Sequence, residues 1–307
     1  MRWLRRAFLA VVLAGAAFAL WLVFVWPPPS WYRTHWPSKT AFMRLRERQA
    51  SATRDTTPLR YQPVSLDSLT RWLPLGAQAG EDEAFYVHHG IDWRSLRDAL
   101  GYRRDQFSWS SSGDRRDLWH VIRTSGERRD KLRGASTITQ QLAKNLYLSP
   151  SRNPLRKVKE AVIAYRLEWA LPKDRILELY LSTAELGRNL WGMEAASQHY
   201  FGRNAGRLTM DQAAALIATL PHPLSSNPGH RPGRMQWRQR LILRKLRGED
   251  VEVPQEADET EVARPPVDSL PRPDTLPFVP DTVRRLLDTI PLPVDTTSVP
   301  PDTTKRP

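Results

Sequence analysis

The sequence predicts a mainly α-helical domain tethered to a membrane by one N-terminal helix. Three observations carry this prediction: an uncharged apolar run over 7–26, helix-spaced apolar residues from Leu75 to about Arg247, and a proline-rich acidic end. Between these ends no convincing alternation of apolar and polar residues predicts a strand. At 307 residues the chain is long enough for one domain with a substantial core.

The apolar run at 7–26 has about 20 residues, the length at which a helix crosses a bilayer. Arginines precede it in the short basic end at 1–6, and three prolines follow it and would end a helix. The basic flank is expected to stay in the cytoplasm, which places the rest of the chain across the membrane. A cleaved signal peptide is the alternative, but the run is long for one and no Ala-x-Ala site directly follows it.

The formal charge of +13 is unevenly distributed. From Glu249 onward there are 13 acidic and six basic residues, so this end carries about −7 and the rest about +20. It also holds 12 of the 26 prolines, and the tail at 248–307 is therefore predicted to be disordered. A basic domain across the membrane meets anionic headgroups and phosphorylated lipids, so nucleic acid is not a predicted partner. The chain has no cysteine, which excludes disulfides and thiolate metal sites.

The segment at 27–73 mixes tryptophan with arginine, which fits either a membrane–water interface or an exposed linker. The domain itself is expected at 74–247, with a polar surface excursion over 102–133. Capping signals and helical spacing mark three of its helices. These are a helix that Thr209 and Gln212 cap and Pro221 ends, a helix beginning at Lys173, and a helix over Arg156 to Leu171.

Glu81 is the first candidate for catalysis, because the segment 81–92 crowds carboxylates and two histidines together. A carboxylate at the lip of a cleft can take a proton from a hydroxyl, a frequent task in glycosyl chemistry. The alternative is a solvated acidic first turn of a helix, which the helix dipole favours. His88 and His89 do not predict a metal site, since adjacent side chains point to different faces and no third ligand has matching spacing.

A second polar segment begins at Ser136 or Thr137, either of which can cap a helix. Along that helix the i, i+4 spacing aligns Gln140 with Lys144 and Gln141 with Asn145. Hydroxyls at a helix N-terminus with a lysine one to two turns on suit an anion such as a diphosphate.

A third segment is basic: Arg152 is followed by Arg156-Lys157-Val158-Lys159-Glu160. Its cations could bind a diphosphate leaving group, with Glu160 holding them in place. The alternative is an ordinary basic helix start, although cations at a helix N-terminus oppose the helix dipole.

These segments together resemble glycosyltransferase family 51, the peptidoglycan glycosyltransferases. The resemblance rests on five motifs in the family order between Glu81 and about Pro223. The motifs are Glu81-Asp82-x-x-Phe85-x-x-His88-x-Gly90, Gly134-x-Ser136-Thr137-Ile138-Thr139-Gln140-Gln141-x-x-Lys144-Asn145, Arg156-Lys157-x-x-Glu160, Lys173-x-x-Ile176-Leu177-Glu178-x-Tyr180-Leu181 and Gly192-x-x-x-Ala196-x-x-x-Tyr200-Phe201.

The chain departs from the family pattern in three places. Ala135 stands where the family usually has a second glycine, and Ser182 where it usually has asparagine. The stretch at 102–133 is longer than usual by roughly twenty residues on a typical loop expectation. No Ser-x-x-Lys or Lys-Thr-Gly motif follows, so the resemblance implies a monofunctional enzyme without a transpeptidase domain.

The resemblance implies a lysozyme-like fold with a small membrane-embedded subdomain and a reaction that polymerises lipid II with inversion. The growing lipid-linked glycan would be the donor, lipid II the acceptor, and polyprenyl diphosphate the leaving group. The implied catalytic residues are Glu81, as general base, and Glu160, which organises the diphosphate site. The implied substrate-binding residues are Phe85, Ser136, Gln141, Lys144, Asn145, Arg152 and Lys159.

No cofactor is required by the sequence; Mg²⁺ or Mn²⁺ could accompany the substrate diphosphate, but no protein ligand set for either is visible. The expected partners are lipid II, the growing glycan, the membrane and proteins of cell-wall synthesis. The expected location is the bacterial inner membrane, single-pass, with the catalytic domain on the periplasmic side. Two alternatives stay open: a lytic transglycosylase, and a catalytically silent scaffold of the wall-synthesis machinery.

Overall fold

In the computed structural model the described residues are 2–100, 110–124, 136–148 and 154–254. They are mostly helical, which confirms the predicted fold class. All of them belong to one compact unit, Met1–Ala263, while a second unit, Arg264–Pro307, lies outside the described residues.

The described helices follow one another along the chain, joined by short segments. They are α1 (Arg2–Val23), α2 (Ala41–Ala52), α3 (Trp72–Glu81), α4 (Trp93–Leu100), α5 (Ser112–Thr124), α6 (Ile138–Tyr147), α7 (Pro154–Ala170), α8 (Lys173–Thr183), α9 (Met193–Phe201), α10 (Met210–Thr219) and α11 (Gly233–Leu246). The three helices marked in the sequence are confirmed as α7, α8 and α10, and Thr209 caps α10 by accepting from the Gln212 backbone N–H.

Helix α1 is long and apolar enough to cross a membrane over Arg5–Val23, where its mean hydropathy is 2.1. The helix ends at Val23, three residues before the predicted end of the span at 26. The prolines at 27–29 account for this early end, because they lack the backbone N–H groups that would bond to the carbonyls of residues 23–25.

The segment at 27–73 folds onto the domain. Tyr32, Phe42 and Met43 are at most 4% exposed, and Arg46 of α2 forms a two-pronged ion pair with Glu185 at 2.8 and 2.9 Å. This segment is therefore part of the packed unit, although the sequence suggested a linker or an interfacial stretch.

A small sheet joins this segment to the domain. Its strand order is β1 (Arg60–Tyr61), β3 (Leu190–Trp191), β2 (Glu185–Gly187), with β1 parallel and β2 antiparallel to β3. Strands of two or three residues are too short for alternation to be recognised, which explains why the sequence predicted none.

Two boundaries differ from the sequence-based expectation. The structure describes residues 110–124 of the polar segment at 102–133. These residues contain helix α5, whereas the sequence suggested a surface loop. At the other end, Val253 is buried in the core, so the first residues of the predicted tail at 248–307 pack on the domain. Residues 255–307 lie outside the described part.

Gly192 is a position where the backbone requires glycine. Its φ is +84°, and an added Cβ would lie 2.3 Å from the Ser182 carbonyl oxygen. We expect Gly192→Ala to destabilise the fold by about 2–4 kcal/mol, because backbone strain and overpacking each contribute about 1–3 kcal/mol. Thermal unfolding should show a midpoint about 5–15 °C lower. Gly202 is the control: its φ is +62° but its Cβ position is open, so Gly202→Ala should lower the midpoint much less.

Candidate active site

Glu81 is the last residue of α3 and is 7% exposed. Helix α3 packs on α10 and α11. At Gly80 an added Cβ would lie 3.1 Å from Ile217 and 3.2 Å from Ile242, so the glycine lets α3 approach both helices closely. The carboxylate thus follows a tightly packed helix end, and it does not occupy the solvated first turn that was its alternative placement.

Both carboxylate oxygens of Glu81 accept hydrogen bonds from side chains. Gln141 Nε2 donates to Oε2 at 3.0 Å, and Arg238 Nη2 donates to Oε1 at 3.0 Å. The Tyr180 hydroxyl donates to Gln141 Oε1 at 3.0 Å, which fixes the amide so that its nitrogen faces Glu81. Charge-assisted hydrogen bonds of this kind favour the ionised carboxylate and hold its orientation.

Asp82 and His88 connect the segment after α3 to the start of α6. Asp82 Oδ2 accepts from the Ile138 backbone N–H at 2.9 Å, and His88 Nε2 lies 3.0 Å from both Asp82 oxygens. The Thr137 hydroxyl donates to the Gly90 carbonyl at 2.6 Å. These bonds fix the N-terminus of α6 relative to Glu81. Within the described ranges no group of three His, Cys, Asp or Glu side chains could hold a metal ion.

Helix α6 carries the second polar segment, and Thr137 rather than Ser136 is its N-cap. The Thr137 hydroxyl accepts from the Gln140 backbone N–H, and Gln140 Oε1 accepts from the Thr137 N–H, each at 3.1 Å. Gln140 is therefore used by the cap, while its neighbour Gln141 reaches Glu81. Lys144 and Asn145 lie further along the helix and are 4% and 8% exposed.

A small cleft that is open to solvent adjoins this network. Gln141, Asn145 and Tyr180 line it together with Glu185. Phe42 of α2 forms part of its wall, so the segment before the domain also shapes the cleft. The cleft is polar where it meets the residues that orient Glu81.

The basic segment opens α7, and its charges converge on Glu160. Glu160 is 1% exposed; its Oε2 accepts from Arg156 at 2.9 Å and its Oε1 from Lys157 at 2.5 Å. Lys157 also donates to the Ser136 hydroxyl at 2.6 Å. Since Lys157 is 43% exposed at its side chain, it remains open to an external anion.

The start and the middle of α6 therefore border two different sites. Ser136 contacts the cations of α7, while Gln141 contacts Glu81. Five residues of helix rise about 7–8 Å. The Glu81 carboxylate and the cations of α7 thus contact different parts of the segment that begins at Ser136, an arrangement suited to deprotonating a hydroxyl near a substrate with an anionic leaving group.

Two predicted substrate-binding residues lie elsewhere. Lys159 Nζ lies 4.4 Å from the centre of the Trp21 ring of α1, and burial lowers the pKa of this lysine. Phe85 is fully buried in the hydrophobic core, under Lys173 at 4.4 Å from its ring centre, so it supports the site through packing rather than through substrate contact. Arg152 lies outside the described residues.

The sequence analysis missed Arg238, and it predicted that Glu160 holds the neighbouring cations without singling out Arg156 and Lys157. For Arg238 a signal existed: Met235, Arg238 and Ile242 have i, i+3, i+7 spacing, which places the arginine on the buried stripe of α11. For the other two, the signal was their i−4 and i−3 position relative to Glu160.

A family model described as Transglycosylase matches residues 104–247, and no transpeptidase domain matches. A protein of Bordetella pertussis named "Biosynthetic peptidoglycan transglycosylase" is 39% identical over 256 residues, which cover 81% of this chain and 95% of that protein. Proteins with the same name from Acinetobacter baumannii and Marinomonas sp. are 35% and 44% identical, over 78% and 56% of this chain and 96% and 66% of their own lengths.

Proposed function

This chain belongs to the peptidoglycan transglycosylase family and is a peptidoglycan glycosyltransferase, and we propose that it polymerises lipid II with Glu81 as general base. The observation that carries the proposal is the buried Glu81 carboxylate, held by Gln141 and Arg238 beside a polar cleft. An oriented carboxylate next to a cleft is what deprotonation of a sugar hydroxyl requires.

In the proposed step, Glu81 takes the proton of the acceptor 4-hydroxyl of lipid II. The hydroxyl oxygen attacks the anomeric carbon of the growing glycan from the face opposite the diphosphate. The new carbon–oxygen bond forms as the bond to the diphosphate breaks, so the configuration at the anomeric carbon inverts. Polyprenyl diphosphate leaves with the bonding electron pair.

The leaving diphosphate is proposed to bind where the cations of α7 meet the start of α6. Arg156 and Lys157 supply charge there, and Glu160 holds both in place. Stabilising charge that develops on a leaving group is a large electrostatic contribution to catalysis. Ser136, Gln141, Lys144 and Asn145 are proposed to position the sugar and phosphate groups, and Arg152 joins them on the family resemblance. A divalent cation such as Mg²⁺ or Mn²⁺ would be bound by the diphosphate of the substrate.

The proposed location is the inner membrane, with α1 as a single-pass anchor and the domain on the periplasmic side. Arg2, Arg5 and Arg6 before the apolar span support this orientation, because basic flanks stay in the cytoplasm. Proteins of cell-wall synthesis are proposed as partners at the same membrane.

The test is to incubate the purified full-length chain with lipid II and to follow glycan strands on a gel. We expect polymer and release of polyprenyl diphosphate. Cleavage of finished glycan without use of lipid II would instead identify a lytic transglycosylase, and no reaction with either substrate would identify a silent scaffold.

The two ends of the chain are expected to differ in their effect on turnover. Deleting 255–307 should leave turnover nearly unchanged, because this proline-rich segment lies outside all five motifs. Deleting from Glu249 should reduce it, since that cut also removes buried Val253 and Pro254, whose carbonyl accepts from Arg238. Deleting 1–26 should weaken turnover in membranes, because the anchor raises the local concentration of enzyme at the lipid-linked substrate. The measurement is the turnover of all three truncated chains beside the full chain in one assay. Unchanged turnover without 1–26, together with reduced turnover without 255–307, would contradict this prediction.

A further inference from the structure

Arg238 is a fully buried arginine outside the five motifs. It lies in α11, 157 residues from Glu81 along the chain, and its side chain is 1% exposed. A charged group is costly to bury unless it is paired and hydrogen-bonded. The partners of Arg238 therefore indicate what its burial accomplishes.

The guanidinium joins three parts of the chain. It donates to the Gly80 carbonyl at 2.5 Å, to Glu81 Oε1 at 3.0 Å and to the Pro254 carbonyl. Arginine presents its donors in a rigid planar fork, so these bonds fix directions as well as distances. One side chain thus sets both the backbone at the end of α3 and the rotation of the Glu81 carboxylate.

We propose that Arg238 is a positioning residue for glycan synthesis, which holds the Glu81 carboxylate ionised and oriented toward the cleft before the acceptor hydroxyl arrives. The inference rests on the proposed role of Glu81 as general base. Arg238 occupies Oε1, on the side of α11, while Oε2 receives its bond from Gln141, which lines the cleft. Oε2 is therefore the oxygen on the cleft side, and we assign to it the acceptance of the substrate proton.

The charge of Arg238 matters because Glu81 is buried. Burial disfavours the ionised form of a carboxylate, and a cation in contact offsets that penalty. Among the contacts described around this end of α3, α10 presents the apolar Ile217, and α8 presents the Tyr180 hydroxyl, which acts through Gln141. The neighbouring Asp82 is engaged by His88 and by the Ile138 N–H.

The test compares Arg238→Met, Arg238→Lys and the wild-type chain in lipid II polymerisation across pH. Methionine keeps an apolar stem and removes the charge, so Glu81 should take up a proton at a higher pH. We expect the acid limb of the kcat profile to move upward by about one pH unit or more. We also expect kcat at neutral pH to fall about tenfold or more, since the carboxylate loses its orientation, with KM for lipid II nearly unchanged.

Arg238→Lys retains a charge but cannot bond all three acceptors at once. The acid limb of its kcat profile should stay at nearly the same pH as in the wild type, while kcat itself is partly reduced. The matched control is Arg240→Met on the same helix, where the side chain is exposed and the profile should not change.

A folded Arg238→Met chain whose acid limb does not move would overturn the inference. So would a loss that is equal at every pH and parallels a lower unfolding temperature, since that describes a purely structural arginine. If Arg238→Met does not fold, the kinetics of Arg238→Lys provide the test. A kcat of Arg238→Lys equal to that of the wild type would contradict the positioning role. A loss of activity in Arg238→Lys that appears in KM and not in kcat would also contradict it. Glu81→Gln in the same assay separates the two proposals, because turnover in that variant would refute the base assignment itself.

Discussion

Glu81→Gln should reduce lipid II polymerisation by about 10²–10⁴-fold while the protein stays folded, because loss of a general base typically has that effect. Glutamine keeps the length and shape of the side chain at the end of α3. The glutamine side chain cannot take the proton from the 4-hydroxyl of lipid II. Its amide group would also face the hydrogen-bond donors of Gln141 and Arg238. The measurement is the initial rate of glycan formation beside thermal unfolding of the same preparation.

Glu83→Gln is the matched control for this experiment. Glu83 lies two residues on, but its side chain is 75% exposed and its partner Lys245 lies on the surface side of α11. Exposed ion pairs contribute about 0–1 kcal/mol, so this variant should retain its rate and its stability. Near-normal turnover in Glu81→Gln would refute the assignment of the base.

Local patterns predicted much of the candidate site. A capping box and i, i+4 spacing depend on neighbouring residues, so Thr137 and the polar face of α6 could be inferred before the structure. Glu81 stood out because carboxylates and histidines are dense around it. Its surroundings could not be inferred, since the partner Arg238 is 157 residues away and no local rule joins them.

The cations of α7 show how geometry selects among neighbours of the same charge. Side chains three and four residues apart share a helix face, whereas adjacent ones do not. Arg156 and Lys157 therefore reach Glu160, and Lys159 contacts Trp21 instead. Composition indicated a basic cluster, but only helical phase identifies which of its members face the site.

Phe85 is a motif residue with a role in packing. The family resemblance implied that it binds substrate, whereas aromatic side chains generally bury much apolar surface and dominate cores. The structure places it in the core below Lys173. Polar residues of this segment, such as Asp82 and His88, are likewise engaged in fixing α6. Motif membership therefore marked residues that build the site as well as residues that line it.

Glu160→Gln should lower kcat/KM for lipid II polymerisation by about 10²–10³-fold, the range observed when transition-state charge stabilisation is removed. Glu160 is buried and accepts from Arg156 and Lys157 at once. Glutamine would leave both cations without their counter-charge and would present an amide donor to one of them. The two side chains should then leave the positions at the start of α6 where the diphosphate is proposed to bind.

Inhibition by polyprenyl diphosphate distinguishes this loss from loss of the base. The leaving group should inhibit Glu160→Gln much more weakly than the wild type, because it binds the cations that Glu160 organises. It should inhibit residual turnover of Glu81→Gln as strongly as before, since that carboxylate contacts the acceptor. Glu168→Gln is the control on the same helix: Glu168 is also buried and ion-paired, but its partners are Lys173 and Thr139, so product inhibition should not change. Unchanged product inhibition in Glu160→Gln would place the diphosphate elsewhere in the cleft.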